Sequence, residues 1–141
     1  MDKGRFHLNR KAALVCLVLL FAAGLWVGRS MAGQAPLAGL TADEIQWVKV
    51  ELSPPDTAHY LTQEEIARLV PLLNRVVTHR RDDSWRDYNG QAVVFTIRKT
   101  DDSLLTVMPF NPFIIIDGVG YQTEHTPCEA LSRFANTLRR S

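Results

Sequence analysis

Gln91–Thr123, QAVVFTIRKTDDSLLTVMPFNPFIIIDGVGYQT, sets the fold class of this chain. Gln91–Lys99 alternates, with Val93, Phe95 and Ile97 on one face, as a half-buried strand does. Thr100-Asp101-Asp102-Ser103 is a turn, and Ser103–Phe110 is the returning strand of an antiparallel hairpin. Pro109 and Pro112 bracket Phe110-Asn111 and end or bend that strand, because proline cannot donate to a sheet ladder. Phe113-Ile114-Ile115-Ile116 is a continuous apolar run, read as a buried strand. Asp117-Gly118 is a tight turn into Val119–Thr123.

Outward from this meander, Ile45–Leu52 (IQWVKVEL) also alternates. Val48, Val50 and Leu52 share one face; Ile45, Trp47 and Lys49 share the other. Ser53-Pro54-Pro55-Asp56 stops this strand. Thr62-Gln63-Glu64-Glu65 is a capping box, in which the Thr62 hydroxyl accepts from the Glu65 amide and the Glu65 carboxylate reaches back. Ile66, Leu69, Val70, Leu73, Val76 and Val77 continue it as one helical stripe, with a kink expected at Pro71. Thr126-Pro127-Cys128-Glu129 reads as a second capping box with proline at the first helical position. Leu131, Phe134, Ala135 and Leu138 form the stripe of that helix, and Arg139 and Arg140 close its negative end. The order is β-α-β-β-β-β-α. The expected fold is α+β, a single antiparallel sheet of four to five strands with two helices packed on one face.

A different kind of segment precedes this domain. Ala12–Gly28, AALVCLVLLFAAGLWVG, holds no charge. As a helix it would be about 25 Å long, a little short of a ~30 Å hydrocarbon core. Lys3, Arg5, Arg10 and Lys11 precede it against Asp2 alone, and only Arg29 follows closely. The positive-inside rule then leaves residues 1–11 as a cytoplasmic basic tail and sends the rest across. Trp26 suits the outer interface. The run exceeds a signal core of ~7–15 residues, so a single-pass anchor is expected. Ser30-Met31-Ala32 is a small-x-small pattern, and cleavage after Ala32 would give a secreted form instead. Residues 29–44 read as a linker and 45–141 as the extracytoplasmic domain.

The 141 residues carry a net charge of +1 that hides an asymmetry. Residues 1–32 hold five Lys/Arg and one Asp; residues 33–141 hold eleven Lys/Arg and fourteen Asp/Glu. The exported part is mildly acidic and mixed. It lacks the basic stripe that nucleic-acid binding requires. With Cys128 as its lone cysteine it forms no internal disulfide. His59, His79 and His125 are scattered, and the aspartates lack the spacing of a calcium loop, so neither a metal site nor a cofactor is expected. No G-x-S-x-G, H-E-x-x-H or Gly-rich phosphate loop occurs.

Two places invite a functional reading. Thr78–Gly90, THRRDDSWRDYNG, is charge-dense and reads as the longest irregular segment. Arg80, Arg81, Trp85, Arg86 and Tyr88 make it a candidate recognition loop, since arginine and aromatic side chains are enriched at binding hot spots. The plainer reading is a solvated loop with Trp85 lidding the core and with Asp82 and Asp83 as turn residues. Cys128 falls in the first turn of a helix, where the dipole lowers a thiol pKa, and His125 precedes it by three residues. The plainer reading there is a buried cysteine acting as a small apolar side chain.

The succession LTQEEIARLVPLLN, YNGQAVVFTI, an acidic turn, NPFIIIDGVGYQT and a capped last helix resembles small exported or membrane-anchored α+β proteins of Gram-positive anaerobes, over Ile45–Leu138. That resemblance implies a location and a fold, with no catalytic residues. The order strand, long helix, meander also resembles cystatin-type inhibitors. Gln91-Ala92-Val93-Val94-Phe95 begins like their Q-x-V-x-G but has Phe95 where glycine belongs. These features point first to a membrane-tethered extracytoplasmic domain that binds another protein or an envelope component, with an envelope protein as the expected partner, and has no catalytic activity. A thiol enzyme or redox factor using Cys128 and an inhibitor-like domain acting on an envelope hydrolase are the alternatives.

Overall fold

The computed structural model describes residues 10–138, in two compact units, Met1–Ala32 and Gly33–Ser141. Lys3 and Arg5, expected to flank the apolar run, and Arg139 and Arg140, expected to close the last helix, lie outside the described residues.

The first unit is one helix, α1 (Arg10–Met31), about 33 Å long at the usual rise. Leu14, Leu17, Leu20, Phe21, Leu25 and Trp26 are all more than half exposed. This helix, apolar all round, is long and apolar enough to cross a membrane. A signal sequence has the same look.

The second unit is α+β. Its elements are β1 (Ile45–Ser53), β2 (Thr57–Tyr60), α2 (Gln63–Asn74), β3 (Thr78–Arg81), β4 (Ala92–Lys99), β5 (Leu104–Phe110), β6 (Phe113–Ile116), β7 (Val119–Thr123) and α3 (His125–Leu138). They build one antiparallel sheet of seven strands, ordered β2-β1-β4-β5-β6-β7-β3. The expected four to five strands therefore become seven. The two extra strands are four-residue edges. β2 follows the proline turn expected to stop the first strand, and β3 opens the segment expected to be irregular. Neither has an apolar alternation for a sequence reading to catch: THRR is charged, and every residue of TAHY is exposed.

The meander follows the expected boundaries closely. Asp117 and Gly118 both have positive φ, 49° and 81°, as a two-residue primed turn requires between strands of right-handed twist. β1 contains an irregularity between Ile45 and Trp47, where Ile45 pairs with Lys99 and Trp47 with Arg98. The extra residue turns Ile45 into the core beside Val48, not onto the Trp47 face as strict alternation would have it.

One face of the sheet carries both helices. Val48, Val50, Leu52, Val93, Phe95, Ile97, Val107 and Ile114 from the strands join Ile66, Leu69, Val70 and Leu73 of α2 and Leu131, Ala135 and Leu138 of α3 in a single core. The Thr62 capping box is made as expected: the Glu65 amide donates to the Thr62 hydroxyl at 3.2 Å, and Thr62 N–H donates to Glu65 Oε2 at 2.8 Å. α2 runs through Pro71 and ends one turn later, so Val76 reaches the core from beyond the helix. α3 starts at His125, one residue before the expected cap. Pro127 is thus its third residue, still in the first turn, where its missing N–H costs nothing.

The stretch read as linker, 29–44, joins the domain from Gly33 onward. Gln34 bridges to Thr78 through two backbone hydrogen bonds, 2.8 and 2.7 Å, and Leu37 and Leu40 are buried in the core. A 3-10 turn over Ala42–Glu44 is capped by the Thr41 N–H on Glu44 Oε2 at 2.9 Å and leads into β1.

Candidate functional site

The charged aromatic segment lies between β3 and β4, and its end nearest β7 is pinned to the sheet. Asp82 N–H donates to Gly120 O at 2.8 Å, and Gly120 N–H donates to Asp83 Oδ1 at 2.9 Å. Gln122 Nε2 donates to Asp82 Oδ2 at 3.0 Å. The Ser84 N–H and hydroxyl both donate to Asp82 Oδ1, at 3.1 and 2.6 Å, closing an Asx turn that starts a 3-10 turn over Ser84–Asp87. These donors hold both carboxylates below the usual aspartate range: the Ser84 side-chain hydrogen bond leads for Asp82, and the Gly120 amide leads for Asp83. Asp82 and Asp83 are therefore anchors, a larger role than the turn residues the sequence suggests.

The candidate side chains divide between packing and exposure. Trp85 is half-buried, with its indole edge against Gly120 and its Nε1 buried without a hydrogen-bond partner. The Arg86 guanidinium stacks 4.8 Å above the Trp85 ring. The Tyr88 ring meets Phe113 at 5.5 Å but stays 58% exposed. Gly90 lies close against the Phe110 ring. Phe110, Phe113 and Gln122 sit opposite one another on the sheet face away from the helices, Gly120 shares that face two residues along β7, and this segment covers them there. Trp85 is thus a lid, as the plainer reading had it, over a second and smaller apolar layer.

The arginines point outward. Arg81 and Arg86 flank Asp83, Arg81 Nε at 3.1 Å and an Arg86 terminal nitrogen at 3.4 Å, with side chains 68% and 56% exposed. Such exposed pairs add little stability. Arg80 is exposed and pairs with no carboxylate among the described residues. The structure thus brings Arg81, Trp85 and Arg86 together around Asp83, with Tyr88 at the far end of the lid against Phe113. Sequence reasoning missed the anchoring role of Asp82, Asp83 and Gly120. Its available signals were the Asp-x-Ser spacing of an Asx turn and a glycine inside a strand, which marks close backbone approach.

Cys128 takes the opposite course from a reactive thiol. It is fully buried, and Sγ donates to Phe113 O at 3.4 Å. Burial pushes the thiol up to about 11, and the nearby Glu129 charge adds to the effect; donors from the Phe110 and Asn111 backbone only partly offset it. Desolvation outweighs the helix dipole here. His125 is exposed and makes no bond to the thiol, while His79 pairs with Glu124 at 2.9 Å. A maleimide should therefore label Cys128 in the folded protein at least about a hundredfold slower than after denaturation, because the thiolate and its access are both suppressed. Fast labelling of the native protein near neutral pH would contradict this burial. Among the described residues no three of His, Cys, Asp or Glu gather where they could hold a metal ion.

No protein-family model, curated protein or solved structure matches the chain.

Proposed function

We propose that this chain is a membrane-tethered domain, held outside the cytoplasm by α1, that binds an envelope protein through Arg80, Arg81, Trp85, Arg86 and Tyr88. The observation that carries this reading is the pinning of the segment by Asp82 and Asp83 to β7. A segment whose backbone is pinned in advance presents its arginines at a smaller ordering cost on binding than a free loop would. Two exposed guanidiniums on either side of Asp83, one of them stacked on an indole, suit a partner that offers carboxylates and a flat apolar group. The reading assigns no catalytic step to the domain, and the buried, protonated Cys128 favours that over a thiol mechanism. It agrees in location with the resemblance to small exported proteins.

A photo-crosslinking residue at position 88 in intact cells tests this reading, with the same residue at Leu104, which is exposed elsewhere on the domain, as the control. The expected result is a discrete adduct from position 88 alone, lost when Arg81 and Arg86 are both alanine. Equal adducts from both positions, or an adduct indifferent to the arginines, would refute it. A protease added outside the cells should also digest a tag placed after Ser141, and a tag that survives until lysis would refute the orientation.

A further inference from the structure

The two edges of the sheet are not alike. At the β3 edge, Thr78 has both its N–H and its C=O bonded to Gln34, and Arg80 and Arg81 follow. Charges and covering chain are the usual ways of closing a strand edge to other strands. The β2 edge, Thr57-Ala58-His59-Tyr60, has neither: it carries no Lys, Arg, Asp, Glu or Pro, and all four residues are exposed.

The pairing parity fixes which groups point outward. β2 pairs with β1 as Thr57↔Leu52, Ala58↔Glu51, His59↔Val50 and Tyr60↔Lys49, and the next residue, Leu61, donates its N–H to Val48 O at 2.9 Å. In an antiparallel strand the N–H and C=O of one residue point the same way and alternate along the chain. Leu61, His59 and Thr57 therefore face β1, and the backbone groups of Ala58 and Tyr60 face outward.

We propose that the β2 edge pairs antiparallel with β2 of a second copy of this chain, about a two-fold axis at His59. That register sets Ala58 opposite the partner's Tyr60 and Tyr60 opposite the partner's Ala58. All the outward backbone groups then find partners, which a symmetric contact must achieve with one strand meeting itself. The side chains match as well. Tyr60, 62% exposed and edge-on to Trp47 at 5.7 Å, gains a small neighbour across the junction where a larger residue would collide. Four residues bury far less than the roughly 1,200–2,000 Å² of a stable interface. The contact therefore depends on two chains held in one membrane, where tethering raises the effective concentration, and in this it rests on the anchor reading of α1.

Disulfide trapping in membranes carrying the full chain, with Cys16→Ser as background, tests the register. The two copies of residue 59 form a non-hydrogen-bonded pair with Cα atoms about 4.5 Å apart, within disulfide reach. The two copies of residue 57 stand about 13 Å apart at four residues' offset, out of reach. Under a mild oxidant His59→Cys should give at least about tenfold more dimer than Thr57→Cys. Adding Ala58→Pro, which removes an outward donor and leaves the β1 ladder intact, should abolish that dimer without loss of the folded circular dichroism spectrum. Absence of a dimer from His59→Cys, equal dimer from both positions, dimer that survives Ala58→Pro, or an adduct only to a different protein each overturns the proposal. A carbonate wash separates the two readings. A chain retained in the membrane without crosslinking refutes the edge pairing alone. A chain released by the wash refutes the tether, and the pairing is then decided by whether the released protein crosslinks at His59→Cys when concentrated.

Discussion

Phe95→Ala is expected to lower the stability of the domain by about 3–5 kcal/mol, the range for a phenylalanine removed from a close-packed core. Phe95 is fully buried at the middle of β4, an interior strand paired on both sides, to Val50 of β1 and to Val107 of β5. Its ring lies 6.4 Å from that of Phe134 on α3. Backbone hydrogen bonds on both flanks hold the strand, so the site cannot collapse to fill the space, and the cavity cost adds to the lost transfer energy. Domains of this size hold only about 5–15 kcal/mol in total, and a loss of this order lowers the melting temperature by roughly 15–30 °C. Phe134 is only half-buried, with the Arg68 guanidinium 5.7 Å from its ring. Phe134→Leu should therefore cost well under half as much. Thermal and denaturant unfolding of both variants measures this, and a Phe95→Ala loss below about 1.5 kcal/mol would mean that the core is not centred on β4.

Most of the fold was legible because most of its elements bury one face. Val93, Phe95 and Ile97 alternate, Ile66, Leu69, Val70 and Leu73 recur at helical spacing, and Asp117-Gly118 can make only a tight turn. The unread parts are those whose geometry comes from tertiary contact. β2 and β3 are strands because β1 and β7 offer them an edge; every residue of β2 is exposed, and β3 buries only the polar Thr78. Ile45 faces the core because of a single extra residue in β1, which no period can register. Gly33–Leu40 looks like a linker by composition and becomes part of the domain because Gln34 finds Thr78 and two leucines find the core.

The candidate site was half legible for a related reason. Arginine and tryptophan in a polar segment are visible as types, and the structure indeed gathers Arg81, Trp85 and Arg86. What positions them is invisible locally, because Asp82 and Asp83 act on residues almost forty positions away. For Cys128 the dipole argument needs only the helix, whereas the plainer reading of a buried apolar cysteine depends on the desolvation that packing supplies.

Gly120→Ala tests that positioning with the smallest available change. Gly120 is buried in β7, and a Cβ there would lie 2.5 Å from Asp82 O and 2.5 Å from Trp85 Cδ1. The tryptophan could swing aside, but the first of these atoms is backbone, and the same residue is held by the Asp82 N–H on Gly120 O. One methyl therefore pushes against the bond that docks the segment and against the Asp83 carboxylate that accepts from Gly120 N–H. Overpacking and the loss of one or two hydrogen bonds, one of them to a charged acceptor, together cost about 2–4 kcal/mol. Because the strain is confined to the lid, the expected signature is local. Trypsin should cut after Arg80, Arg81 or Arg86 much faster than in the unaltered protein, and the Trp85 contribution to the near-ultraviolet circular dichroism should fall while the far-ultraviolet spectrum holds. Gly39→Ala is the control, since a Cβ at Gly39 meets nothing within 4 Å, and it should stay within about 0.5 kcal/mol of the parent. If position 88 still crosslinks its partner in Gly120→Ala as well as before, the pinned geometry is not what the partner recognises. If the adduct falls together with the lid, binding depends on a backbone approach that only a glycine at position 120 permits.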